Sequence, residues 1–190
     1  MKPELAVKEI FDLFDQYGAV DYLGEAVSKT EHSIQCGMLA MQEGYEDQVV
    51  VGSFLHDIGH LLGECHDSEK MVTNGVVLGA KDHDVVGAEY LHTLGFPDKV
   101  CDIVRGHVQA KRYLVFADKN YAGNLSEASK MTLVHQGGPM TSREAEDFKA
   151  SPNFLHMIKM RHWDERGKNT HMDMIPIETF KEMCLSVLKQ

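Results

Sequence analysis

Apolar residues recur at helical spacing along most of the chain. Leu5, Ile10, Phe11, Leu13 and Phe14 form a stripe near the 3.6-residue period and predict a first helix from Pro3 to Gln16, ended by Tyr17-Gly18. The turn-like segment Asp21-Tyr22-Leu23-Gly24-Glu25 leads to a second helix, capped by Ser28 or Thr30 with Glu31 in its first turn. That helix carries His32, Cys36, Leu39 and Ala40 on one side, and Gly44 stops it. From Glu46 to Leu62 the chain is apolar almost all round, with Val49, Val50, Val51, Phe54, Leu55, Ile58 and Leu61. Such a segment predicts a central helix. Its valines also suit a strand, but length and continuation through Leu62 favour the helix.

Gly63 to Lys81 reads as an irregular loop of the kind that forms lids or binding loops. Asp82 or His83 opens a helix with Val85, Val86, Ala88, Tyr90, Leu91 and Leu94 turned inward, and Gly95 closes it. Pro97 starts the next, through Val100, Ile103, Val104 and His107, with Ala110 to Ala117 able to extend it. Ser126 caps a helix through Gln136, stopped by Gly137-Gly138-Pro139. Thr141-Ser142-Arg143-Glu144 fits a capping box. Pro152 precedes a helix through Gly167 carrying Trp163 and Asp164, and a last amphipathic helix uses Phe180, Met183, Leu185 and Leu188. No segment alternates convincingly as a strand, and no repeat or linker interrupts the pattern. The expected fold is all-α, one helical bundle domain over residues 1–190.

Charge narrows the function. A net charge of −10 argues against general binding to nucleic acid backbones, while leaving room for a local cationic pocket. No apolar run reaches membrane-spanning length, and Met1-Lys2-Pro3-Glu4-Leu5 lacks a signal-peptide core, so the cytoplasm is the expected location. No protein partner is expected. Cys36, Cys65, Cys101 and Cys184 form no C-x-x-C pair and read as thiols, Cys36 and Cys101 as core residues.

Chemistry concentrates in Phe54-Leu55-His56-Asp57-Ile58-Gly59-His60-Leu61-Leu62. A carboxylate beside an imidazole in an apolar run is costly unless a partner satisfies both. Alone, the pair reads as well as a structural one. His32, His83, His107 and Asp164 also lie in or beside apolar helices. Imidazoles and carboxylates without thiolate suit iron, manganese or zinc. Four histidines and two aspartates exceed one open site and suit two metals sharing a bridging carboxylate, with Asp57 as the natural bridge. His66, His92, His135, His156, His162 and His171 read as ordinary surface or core histidines, and Met157, Met160 and Trp163 as core packing.

The order H…HD…H…H…D, from His32 to Asp164, resembles the HD-domain superfamily of helical metal-dependent proteins. Most of its members are phosphohydrolases and a minority are diiron oxygenases. Asp21–Glu25, His56–His60, His107–Leu114, Leu125–Ser129, Gln136–Met140 and Arg161–Glu165 look like the 2-amino-1-hydroxyethylphosphonate dioxygenase family, which includes a relative acting on the N-trimethylated substrate. The resemblance implies an HD-domain helical bundle with two iron ions, Fe(II)/Fe(III). It also implies dioxygen as co-substrate and oxidative cleavage of the carbon–phosphorus bond of a small zwitterionic hydroxyphosphonate. It places His32, His56, Asp57 and Asp164 on one iron and Asp57, His83 and His107 on the other. Tyr22 would occupy an iron position until substrate arrives, and Glu25 would face the substrate nitrogen. His60, Lys111, Ser129 and Arg161 would hold the phosphonate, with Tyr22, His60 and Lys111 acting in catalysis.

Residue chemistry is consistent with these roles. Arg161 and Asp164 are three apart and share a helix face. Arginine suits bidentate oxyanion binding, and Lys111 adds a compact cation. Ser129 lies near a helix start, where an anion is favoured. Blander readings stand beside them: Tyr22 covers a helix end, Glu25 is a first-turn acid, Lys111-Arg112 is a solvated basic pair, and Ser129 and Thr132 bond back to helix carbonyls. Two other functions compete with the oxygenase. One is an HD-type phosphohydrolase using the same metals, and the other a non-catalytic metal-bearing module. A trimethylammonium head favours an aromatic face plus an acid, which Tyr22 and Glu25 supply, and this tilts the substrate reading towards the quaternary compound.

Overall fold

Ile10, Phe11, Leu13 and Phe14 of the predicted stripe are buried in α1 (Pro3–Tyr17) with Ala6 and Val7, while Leu5 is exposed; the helix starts on Pro3 in its first turn and closes with the Gly18 N–H donating to the Phe14 carbonyl. The structure is a computed structural model describing residues 1–22, 25–66 and 68–190. Leu23 and Gly24 of the expected turn lie outside the described residues. Ser28, not Thr30, caps α2 (Lys29–Gln42), and its capping box with Glu31 is complete. Such a cap contributes about 1 kcal/mol.

The expected continuous helix from Glu46 to Leu62 is two helices, α3 (Asp47–Phe54) and α4 (Ile58–Cys65). Leu55 (φ −93°, ψ 3°) and Asp57 (φ −103°, ψ 15°) leave helical geometry between them. The cause is local. The Ser53 carbonyl would accept the Asp57 N–H in a continuous helix. His56 Nδ1 takes that carbonyl instead, at 2.9 Å. The His-Asp pair therefore sits in a break, not on a helix face.

The expected irregular loop is largely a β-hairpin, β1 (Lys70–Thr73) and β2 (Val76–Ala80). Its turn is Asn74-Gly75, with φ of 52° and 80°. Asn-Gly is the favoured pair for a two-residue hairpin turn with positive φ at both positions. Strict alternation is missing because the register shifts between Lys70 and Val72 and Gly79 takes φ 91°. The strands bury Met71, Leu78 and Ala80 and expose Val72, Val76 and Val77.

The remaining helices fall where predicted, although Val86, expected to turn inward, is exposed. They are α5 (His83–Leu94), α6 (Asp98–Ala117), α8 (Glu127–His135), α9 (Ser142–Lys149), α10 (Phe154–Arg166) and α11 (Ile177–Leu188), with one unforeseen turn, α7 (Tyr121–Asn124), between α6 and α8. Helix α6 runs through Ala117 and packs against α3, α5 and α10. Phe14, Phe54 and Phe180 stack with centroids 4.9 and 4.5 Å apart and join α1, α3 and α11. Each fully buried phenylalanine stabilises by roughly 1.5–3 kcal/mol. Met160 and Trp163 are core residues, as expected, and Cys36 and Cys101 are buried free thiols. The result is an all-α helical bundle carrying a small hairpin. Among the described residues no helix is long and apolar enough to cross a membrane.

Candidate metal centre and substrate pocket

Three helices and the α3–α4 break aim imidazoles at one buried point. His32 comes from α2, His56 from the break, His83 from the first position of α5 and His107 from the middle of α6. Each donates through Nδ1 to a backbone carbonyl: His32 to Gly167 (2.8 Å), His56 to Ser53 (2.9 Å), His83 to Ala80 (3.2 Å) and His107 to Val104 (2.7 Å). A carbonyl only accepts, so Nδ1 carries the proton and every Nε2 offers a lone pair. These atoms meet in two pairs, His32 with His56 at 3.2 Å and His83 with His107 at 3.1 Å.

Asp57 lies between the pairs. Its Oδ1 is 3.5 Å from His83 Nε2 and 3.4 Å from His107 Nε2, and its Oδ2 is 3.4 Å from His56 Nε2 and 3.8 Å from His32 Nε2. Asp164 Oδ1 joins the first pair, 3.3 Å from His32 Nε2. Two sets of facing lone pairs plus carboxylates are mutually repulsive unless a cation lies among them. Asp57 Oδ2 is buried without a hydrogen-bond partner, and an unsatisfied buried polar atom calls for an ion or water. The donor set thus fits two metal ions, each on two imidazoles and one Asp57 oxygen, the first also on Asp164. Backbone carbonyls behind metal-binding imidazoles are the usual orienting partners.

Two further side chains come within reach. Ligand atoms of Asp57, His60 and His83, and of His32, Cys36 and His56, lie within 4.8 Å of one another. Hydrogen bonding separates His60 from the four. Its Nδ1 accepts the Ala80 N–H at 3.1 Å, so its proton is on Nε2, which is then a donor and not a metal ligand. Burial, then His83, hold its imidazole well below the usual pKa, so it stays neutral. The Cys36 sulfur is 3.9 and 3.8 Å from the two His32 nitrogens, beside the ring. Burial, with Asp164 and Asp57, pushes that thiol well up, which disfavours thiolate ligation.

The carboxylates remain ionised. Burial raises the Asp57 carboxyl, but His56 and His107 outweigh it and hold it well below the usual range. Burial likewise raises Asp164, and Arg161 outweighs it. For His56, burial lowers the imidazole and Asp57 more than compensates.

Beside this cluster lies a pocket lined by Tyr22, Glu25, His60, Lys111, Ser129 and Arg161, the pocket residues singled out from the sequence. Tyr22 is buried and stacks on His32, centroids 4.0 Å apart, with burial, Asp57 and Asp164 all raising its phenol. Lys111 lies one turn beyond His107 on α6, buried, not solvated. It donates to Thr132 at 2.9 Å, and Thr132 donates back to the Ser129 carbonyl. Arg161 differs from the expected free fork. It gives Nη1 to Asp164 and Nε to Glu165 and Tyr121, leaving Nη2 on the Ser129 hydroxyl at 3.3 Å. Glu25 also differs, because its carboxylate accepts from Lys168 at 2.7 Å.

Lys168, Thr132 and Gln136 are pocket residues that the sequence reading passed over as ligand contacts. Lys168 follows Asp164 by four positions across the close of α10, and that spacing was the available signal. Gln136 opens the family-like stretch Gln136–Met140, whereas Thr132 carried no such signal. Gly167 is needed here, since a Cβ would lie 2.7 Å from Cys36 Sγ and 3.3 Å from His32 Nδ1.

Burial, then Arg161, lower the Lys111 ammonium to about 7. It is therefore charged below that pH and increasingly neutral above it. A bound dianion restores the charge. Calorimetry at pH 8 in buffers of different ionisation enthalpy should show wild type taking up nearly one more proton than Lys111→Met on phosphonate binding. Equal proton uptake by both would remove Lys111 from the anion site.

Fold and site together define a helical metalloprotein with a two-centre histidine–aspartate cluster opening on a charged pocket. The HD domain profile matches residues 30–151. Over 167 residues the chain is 40% identical to the 1-hydroxy-2-(trimethylamino)ethylphosphonate dioxygenase (glycine-betaine-forming) of Leisingera caerulea, spanning 88% of this chain and 82% of that protein. It is 32% identical over 186 residues to the hydroxymethylphosphonate dioxygenase of Gimesia maris, spanning 96% and 90%. An uncharacterized protein of Acanthamoeba polyphaga mimivirus is 34% identical over 184 residues, spanning 97% and 82%. The chain belongs to the HD-domain family, among the hydroxyphosphonate dioxygenases, and is an oxygenase.

Proposed function

We propose that this enzyme cleaves the carbon–phosphorus bond of a small 1-hydroxyphosphonate, with 1-hydroxy-2-(trimethylammonio)ethylphosphonate as the preferred substrate, giving glycine betaine and phosphate. The primary amine analogue, 2-amino-1-hydroxyethylphosphonate, would give glycine and phosphate. One observation carries the reading: Asp57 shared between two lone-pair-bearing imidazole pairs, beside a pocket with Lys111, Arg161 and Glu25 among its walls. The balance closes without an external reductant. One dioxygen supplies the second carboxyl oxygen and the fourth phosphate oxygen, and the carbinol C–H and C–P bonds break.

Two irons, Fe(II)/Fe(III), would be held by His32, His56, Asp57 and Asp164 on one side and Asp57, His83 and His107 on the other. When bound, they supply the redox chemistry with dioxygen and polarise the substrate hydroxyl. The chain's own groups bind and orient. His60 donates from Nε2, Lys111 supplies charge, and Arg161 Nη2 with the Ser129 hydroxyl completes the phosphonate cradle. Tyr22, stacked over His32, covers the cluster until substrate arrives. Glu25 faces the nitrogen. The whole chain, 1–190, would form this one domain, working in the cytoplasm, where its free cysteines remain reduced.

The phosphohydrolase reading uses the same metals but leaves Tyr22 and Glu25 without work, and the two relatives with stated activities are dioxygenases. Iron-loaded protein given the trimethylated substrate should consume dioxygen and release phosphate one for one, faster than with the primary amine. Neither oxygen uptake nor phosphate release from any hydroxyphosphonate would reject the proposal. Ester hydrolysis without oxygen would favour the alternative.

A further inference from the structure

Glu25 does not face an open cavity. Lys168 Nζ lies 2.7 Å from its Oε1 and 5.6 Å from the centroid of the Tyr22 ring. The two charged side chains are only 21% and 16% exposed. A carboxylate at contact distance with an aromatic face alongside is what a substrate ammonium, and above all a quaternary one, requires. The lysine head therefore occupies the position that the reading above reserves for the substrate nitrogen. All three residues line the same cavity.

We infer that Lys168 is a specificity-determining residue, the resident counter-ion of Glu25, which a cationic substrate head must displace and a substrate without such a head leaves in place. The inference rests on the proposed hydroxyphosphonate reading and deepens it. Chain geometry permits the exchange. Lys168 follows Gly167, the residue that closes α10, and lies in the irregular segment before α11. Its four-carbon stem can swing the ammonium to solvent, where a charge is cheaply hydrated. The Glu25 N–H donates to the Tyr22 carbonyl at 2.7 Å, which ties the backbone of the acid to that of the ring. With Lys168 in place, the Glu25 end of the pocket is electrically neutral. With Lys168 removed, it carries one uncompensated negative charge.

Anaerobic calorimetry on the iron-loaded protein tests this without turnover. The trimethylated hydroxyphosphonate should bind Lys168→Met about tenfold more tightly than wild type, about the worth of one partly buried cation contact. Hydroxymethylphosphonate should change by less than about twofold. The Glu25→Gln/Lys168→Met double variant should lose the gain, and Lys168→Gln should repeat it, which guards against a packing effect of methionine. Equal weakening of both ligands would place Lys168 on the phosphonate and overturn the inference, as would no change for either. Choline, which has the head but no phosphonate, separates the two claims. A gain for choline in Lys168→Met, with neither phosphonate bound by any form, keeps the exchange and overturns the proposed substrate class. Turnover of hydroxyphosphonates without any gain overturns the exchange alone.

Discussion

Replacing Asp57 by asparagine should abolish loading of both metal positions and lower oxygenase turnover by about 10³-fold or more, beyond the 10–100-fold typical of residues that merely orient a ligand. The reason is the placement of one carboxylate between both imidazole pairs, an oxygen to each. The same variant discriminates a metal centre from a structural ion pair. In the metal-free protein, at a pH high enough to leave the imidazoles neutral, Asp57 presents negative oxygens to four nitrogen lone pairs, and an amide N–H in its place can donate to one of them. Metal-free Asp57→Asn should therefore melt at or above the metal-free wild type. Wild type should gain about 4 kcal/mol from metal at a thousandfold excess over Kd, or about 8–16 °C in a chain of this size, and the variant should gain nothing. Calorimetric melting with and without iron, together with metal analysis, reads both effects. A metal-free variant destabilised by several degrees would make the pair structural.

Substituting Gly59 by alanine should destabilise the protein by about 3 kcal/mol or more, the upper end of overpacking costs, and lower Tm by about 6–12 °C. A methyl group at Gly59 would overlap the backbone carbonyl of His83, and backbone cannot swing away as a side-chain tip does. The same contact zone holds Gly87, whose added Cβ would lie 3.1 Å from the Gly59 nitrogen. Helices α4 and α5 therefore touch through two glycines, and that contact sets where His83 points. Protein that still folds at low temperature should lose one metal position while keeping the other. A Tm within 2 °C of wild type would show that the two helices separate freely.

The helices were largely legible because their causes are local. The stripe of α1, the capping boxes at Ser28 and Thr141, the Ser126 cap and the closing Gly95 depend on neighbours within a turn or two. The six metal-capable residues could be singled out because ionisable groups in apolar helices demand a partner. The Leu55–Asp57 break escaped, since periodicity shows where apolar groups fall and not that a histidine side chain takes a helix carbonyl. The hairpin was within reach through Asn74-Gly75, but its register shift removed the alternation that reveals strands.

Sequence by itself determined the all-α architecture, the inventory of chemistry-bearing residues and their grouping as imidazoles and carboxylates without thiolates. Only the tertiary structure decided which nitrogen of each histidine faces the cluster, because that depends on carbonyls as distant in sequence as Gly167 from His32. It also decided that His60, four residues from His56, carries its proton on Nε2, through a bond to Ala80 in the hairpin. The state of Glu25 belongs to the same category. Its charge was visible in the chain, but its neutralisation by Lys168, 143 positions away, exists only because the close of α10 returns beside the turn before α2. Side-chain type is local, whereas tautomer, ion pairing and free valence are set by whatever the fold places within 3 Å.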